Sequence, residues 1–153
     1  MAKLTVELVT AEQRVVSGEA DFVIAPGADG ELGVLPRHIP LMTPLRPGEV
    51  MIRNDGQEQF IFVAGGFLQV LPDKVVILAD AAERAEDIDE QRAEEARKRA
   101  QQLLEQTDGA DAEARAALER AIFRIRVAEL RKRRRGPRGE PPTAPLPPPP
   151  ATS

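Results

Sequence analysis

A chain of 153 residues with net charge −4, no cysteine, tryptophan or tyrosine and only five phenylalanines has room for one ordinary domain, or a small domain with an appendage, built from Val, Ile, Leu and Ala. The lack of cysteine excludes a disulfide framework and thiolate chemistry, and no apolar run approaches the roughly 20 residues that span a bilayer. Residues 1–86 carry 7 basic and 13 acidic side chains, 87–130 carry 8 and 11, and 131–153 carry 6 and 1, a mildly acidic body with a short basic end and not the basic face of a nucleic-acid-binding domain.

The start, Met1 to Val6, enters alternation directly, which reads as a chain without an export or import leader. Six prolines and eight glycines lie in residues 1–72. Between them short apolar segments recur: Leu4, Val6 and Leu8, then Val15-Val16, Phe22 to Ile24, Val34-Leu35, Val50 and Ile52, Phe60 and Phe62, Phe67 to Val70, and Val75 and Ile77. Turn signals stand between them at Ser17-Gly18, Pro26-Gly27, Asp29-Gly30, Pro47-Gly48, Asn54-Asp55-Gly56, Gly65-Gly66 and Pro72-Asp73. Many short strands at such spacing predict a β-sandwich or barrel over residues 1–86.

Inside this region, Gly30-Glu31-Leu32-Gly33-Val34-Leu35-Pro36-Arg37-His38-Ile39-Pro40 packs two glycines, two prolines and the sole histidine around an apolar run. Such punctuation fixes the backbone and forbids a helix. The segment resembles the G-x-L-G-V-L-P-x-H-x-P segment of the epsilon subunits of rotary proton-translocating ATP synthases. The resemblance implies a flattened ten-stranded sandwich, with Glu31 and His38 on the edge that meets the ring of membrane-embedded c subunits. Read from the residues alone, a single His without a nucleophile or metal-ligand cluster is a turn or surface residue and not a catalyst.

From Asp87 to Glu105 the period changes to that of a helix. Asp87 with Glu90 fits a capping pair, and Asp89, Ala93, Ala96, Ala100, Leu103 and Leu104 fall on one face. Thr107-Asp108-Gly109 forms a turn, Asp111 can cap a second helix, and Ala114, Ala117, Leu118, Ala121, Ile122, Ile125 and Ala128 continue an i, i+3, i+4 stripe. Residues 87–135 thus read as an antiparallel two-helix hairpin. Because alanine buries little area, the hairpin is expected to dock weakly.

The segment Ile88-Asp89-Glu90-Gln91-Arg92-Ala93 resembles the [I/L]-D-x-x-R-A motif of ATP-binding epsilon subunits. In that family the implied ligand is ATP, bound as a regulator and not hydrolysed, with Ile88, Asp89, Arg92, Ala93 and, on the second helix, Arg126 as its residues; Arg99, seven residues after Arg92 and nearly aligned with it on the helix, could grip the same anion with a second guanidinium fork. Arg120 and Arg124 are further candidates, and Ile122 stands where some binders carry an arginine. The residues themselves leave other readings open. Asp89 can serve only the helix start, and Arg92 can pair with Glu95 or Glu119. No Walker-type glycine loop is present, so hydrolysis by this chain is not expected.

Arg131, Lys132, Arg133, Arg134 and Arg135 suit the dipole at a helix C-terminus. The resemblance gives them a second reading, as the contact of an extended hairpin with an acidic lever of the catalytic head. Residues 136–153 hold eight of the fourteen prolines and read as a disordered Pro-rich tail.

The expected fold class is therefore α+β, with sandwich 1–86, hairpin 87–135 and tail 136–153. The resemblance implies a non-catalytic subunit that couples the gamma subunit's shaft to the c-ring and inhibits ATP hydrolysis at the alpha/beta head. It would sit peripherally on the cytoplasmic side of a bacterial cell membrane, through the complex alone. A free-standing ATP sensor, or a nucleic-acid-binding protein acting through the basic end, are the alternatives. Neither accounts for Gly30 to Pro40.

Overall fold

The computed structural model describes residues 2–135; the predicted Pro-rich tail lies outside the described residues. Ten strands come first: β1 (Leu4–Val9), β2 (Arg14–Ala20), β3 (Phe22–Gly27), β4 (Gly30–Val34), β5 (Leu41–Leu45), β6 (Gly48–Asn54), β7 (Gln57–Val63), β8 (Gly66–Val70), β9 (Lys74–Ala79) and β10 (Ala82–Arg84). A 3₁₀ turn, Ala85–Asp87, leads to α1 (Glu90–Gln106) and α2 (Ala112–Arg135). The expected α+β class, a ten-stranded sandwich followed by a hairpin, is the architecture found. None of the helices among the described residues is long and apolar enough to cross a membrane.

The strands follow one path, β10-β7-β6-β3-β5-β8-β9-β1-β2, with β4 paired to β3. The path folds over itself where β3 and β5 meet through the single pair Gly27–Leu45, braced by Ala28 N–H to Pro44 O and Arg46 N–H to Pro26 O at 2.9 Å each. Alternation then sends one side of every strand inward. Leu4, Val6 and Leu8, Val23 and Ala25, Val50 and Ile52, Ile61 and Val63, Leu68 and Val70, and Val75 and Ile77 form one continuous core between the layers. At the open end, the Arg84 guanidinium of β10 donates to the Val15 carbonyl of β2 (Nε to O, 3.1 Å).

Two expected turns belong to strands instead. Ser17-Gly18 lies within β2 and Pro26-Gly27 closes β3; the reversals fall at Thr10 to Gln13, where Thr10 Oγ1 accepts from the Gln13 N–H, and at Ala28-Asp29. Gly65-Gly66 turns as expected, and here glycine is required. Gly66 has φ +135°, and a Cβ there would lie 2.0 Å from the Leu78 carbonyl oxygen.

Strands β6 and β7 are buried on both sides. Met51, Phe60 and Phe62 point away from the sandwich core into a second cluster with Ala85, Ile88, Val127 and Ala128, flanked by Phe22, Ile24, Ala64, Phe123 and Leu130. That second cluster is where α2 lies on the sheet. The expected docking stripe is therefore corrected, since larger side chains than alanine face the sheet. Alanines pack helix against helix, while Phe123, Val127 and Leu130, spaced i, i+4, i+7, pack the hairpin on phenylalanines.

Candidate functional site

The hairpin begins two residues later than a cap at Asp87 suggests. Asp87 ends the 3₁₀ turn, and the N-cap is Asp89, whose Oδ1 accepts from the Arg92 N–H at 3.1 Å. Asp89 is exposed, so its expected place on the apolar face is also corrected. Ile88 just before it is buried in the sheet-facing cluster. Asp111 caps α2 as expected, accepting from the Ala114 N–H at 3.0 Å. The reversal between the helices uses Asp108 at φ +51° and Gly109 at φ +76°.

Ala93 and Ala100 on α1 and Ala114 and Ala121 on α2 are buried, while Ala128 belongs to the sheet-facing cluster. Leu103 and Ile122, expected in the stripes, are each 47% exposed. Ile122 turns outward because its neighbours Ala121 and Phe123 take the helix-facing and sheet-facing directions. The base of the hairpin is closed by Lys132 Nζ to Glu90 at 2.7 Å.

The hairpin is also tied to the sandwich by charge. Arg124 of α2 makes a forked pair with Glu83 of β10, Nε to Oε2 at 2.7 Å and Nη2 to Oε1 at 2.9 Å. Both partners are partly buried, the bidentate geometry that makes arginine–carboxylate pairs strong. This pair walls a cleft of about 410 Å³ between the sandwich edge and both helices, lined by Phe62, Ala82, Ala96, Ala117, Arg120 and Arg124 among others.

The predicted ATP residues do not line this cleft. Arg92 and Arg99 lie one turn before and one turn after Ala96 on α1, and both are exposed. Neither forms an ion pair among the described residues, so the expected Arg92 pairing with Glu95 or Glu119 is not made. Ala93 is spent on the helix contact. Arg126 lies off the cleft, where its charge acts on Glu49 of β6. The arginines that reach the cleft from α2 are Arg120 and Arg124. Glu83, its acidic wall, was not singled out by sequence reasoning; it sits in a three-residue strand with no pattern to mark it.

Glu31 is exposed on β4, opposite Pro26 and close to the Gly27–Leu45 pair. At the other end of β5, where the Arg37 N–H donates to the Pro72 carbonyl, His38 is half-buried, its Nδ1 2.7 Å from the Ile39 carbonyl. Beside His38, Leu35 and Ile39 are 58% and 75% exposed. The outer face of the β5-β8-β9 layer continues this apolar surface. Met42 is 67% exposed and Phe67 and Leu78 are each 55% exposed, with Phe67 directly opposite both Pro44 and Leu78 in the strand register. Of the basic run, Lys132 is engaged by Glu90, Arg131 is half-buried and Arg133 is exposed. The side chains of Arg134 and Arg135 lie outside the described residues.

Comparison with known proteins gives this arrangement a family. Residues 3–85 match the β-sandwich domain of the ATP synthase delta/epsilon chain, and residues 86–129 match its long α-helix domain. A protein of Dehalococcoides mccartyi named ATP synthase epsilon chain is 50% identical over 141 residues, covering 87% of this chain and 97% of that one. One from Ralstonia nicotianae named ATP synthase epsilon chain 2 is 47% identical over 138 residues, covering 88% and 99%. A chain of the Euglena gracilis mitochondrial ATP synthase, solved in an OSCP/F1/c-ring assembly, shares the fold at a TM-score of 0.69 and 21% identity, over 85% of this chain and 82% of that chain. With two family domains end to end across residues 3–129 and relatives near 50% identity over most of its length, the chain belongs to the ATP synthase delta/epsilon chain family.

Proposed function

We propose that this chain works as the epsilon subunit of a proton-translocating ATP synthase, on the central stalk at the cytoplasmic side of a bacterial cell membrane. The sandwich joins the gamma subunit to the c-ring, and the hairpin acts as a brake on ATP hydrolysis at the alpha/beta head. The chain itself catalyses nothing, and it meets the membrane only through the complex.

The observation that carries this reading is the presence of two separate apolar clusters. The sandwich closes its own core with residues from both layers, and the hairpin rests on a second cluster that can be parted from the sheet without opening the first. The uncovered face with Met42, Phe67 and Leu78, continuing to Leu35 and Ile39, gives the sandwich an apolar surface for protein partners. His38 stands beside Ile39, and Glu31 lies toward the opposite end of β5.

ATP fits the proposal as the ligand that holds the hairpin down. The cleft beside Glu83 and Arg124 joins sandwich and hairpin, Arg120 and Arg124 line it, and Arg92 and Arg99 are exposed on α1 one turn to either side of its lining residue Ala96. A ligand that binds only the docked state stabilises it by RT ln(1 + [L]/Kd), about 2.7 kcal/mol at 100-fold over Kd. The test is reconstitution of the synthase with the full chain or with a chain ending at Asp87. Faster ATP hydrolysis with the short chain is expected; equal rates would remove the brake.

A further inference from the structure

Two glutamates of the sandwich face arginines of α2, and their situations differ. Glu83 is gripped by Arg124 through two hydrogen bonds. Glu49 of β6 stands opposite Phe62 and shares its side of the strand with Met51, the side on which the hairpin rests. Its Oε2 is out of contact with solvent and accepts no hydrogen bond. The charged groups acting on it are Arg126 from α2 and Glu31 from β4, one of each sign.

From this geometry we infer that docking of the hairpin is coupled to uptake of a proton by Glu49, so that acidification favours the docked hairpin and Glu49 is the residue that senses it. The physical reason is the unpartnered oxygen. An ionised carboxylate whose oxygen is buried without a donor loses its hydration, whereas the neutral acid loses far less. Burial accordingly pushes the Glu49 carboxyl above its ordinary 4.5, with Glu31 adding to the rise and Arg126 opposing it. When the hairpin lifts, Glu49 is rehydrated and its affinity for protons falls. The docked state therefore binds more protons than the undocked one. The docking constant is at its largest below pH 4.5, falls as pH rises through the window between 4.5 and the raised value, and is level above it. One proton limits the slope to about tenfold per pH unit.

The inference rests on the reading that the hairpin leaves the sandwich, and two measurements on the full chain keep the two apart. The first is a carboxyl ¹³C NMR titration of Glu49, assigned by its loss in Glu49→Gln. A midpoint above 4.5 is expected, moving higher still in Arg126→Gln; a midpoint at or below 4.5 overturns the inference whether or not the hairpin moves. The second is energy transfer between dyes on Glu12→Cys and Gln106→Cys, which are unique labelling sites because the chain has no cysteine. In mild urea the wild type should dock more as pH falls, and Glu49→Gln should dock more than wild type at neutral pH with that dependence flattened. An equal slope in both proteins overturns the inference. Dyes that report no undocking at any pH or urea concentration overturn the mobile hairpin itself.

Discussion

Truncating Val127 tests whether the sheet-facing stripe of α2, and not its alanines, holds the hairpin. Val127 is fully buried against the cluster of Met51, Phe60 and Phe62. Val127→Ala removes two methyl groups, about 0.8 kcal/mol each by transfer, with a further cost for the cavity left between stiff aromatic neighbours. A total of about 2 kcal/mol follows, which is about a 30-fold fall in the docking constant. Ile122→Ala, at an exposed position on the same helix, removes more atoms and should cost less than about 0.5 kcal/mol. Urea unfolding followed by far-ultraviolet circular dichroism at 222 nm reads the helices, and the sandwich is followed separately by methyl NMR signals of Leu68 and Ile77. In Val127→Ala the helical transition should move to lower urea while the sandwich transition stays in place. If Val127→Ala costs no more than Ile122→Ala, or if both transitions move together, the hairpin is not held by this stripe as a separable unit.

Other outcomes follow from single sites. Gly66→Ala places a methyl group against the Leu78 carbonyl at φ +135°, so it should cost about 3 kcal/mol or more and lower the thermal midpoint accordingly. Millimolar ATP should raise the thermal midpoint of the isolated protein, and Arg92→Ala should abolish that rise while leaving the unliganded midpoint nearly unchanged, as read by differential scanning calorimetry. Charge reversal at Glu31 with a bulky residue at His38 should uncouple hydrolysis from proton pumping in reconstituted vesicles without unfolding the chain. Lys3 holds the Asp21 carboxyl below its ordinary 3.8, through a contact of 2.8 Å. That stabilisation is present above pH 3.8 and lost as pH falls through the lowered value, so Asp21→Asn should flatten the acid limb of the stability curve.

Features that depend on local pattern are legible in the chain. Alternation at Leu4-Val6-Leu8 and Val75-Ile77, separated by glycine and proline turns, dictated strands with a buried side. The Asp111 cap and the Asp108-Gly109 turn fixed where the hairpin reverses, and the Gly30 to Pro40 segment pointed to the family. What packs against the outward sides depends on contacts far apart in the chain. The run Phe60-Ile61-Phe62-Val63-Ala64 carried the signal of a strand covered on both faces, yet nothing local states that the cover is Phe123, Val127 and Leu130 of a helix more than sixty residues away. The same holds for charge. At about 100° per residue Arg120 and Arg124 share one side of α2 and Arg126 stands about 160° from Arg124, but only the fold places Glu83 before Arg124 and Glu49 near Arg126, since an arginine's role is set by the group that the fold brings within its reach.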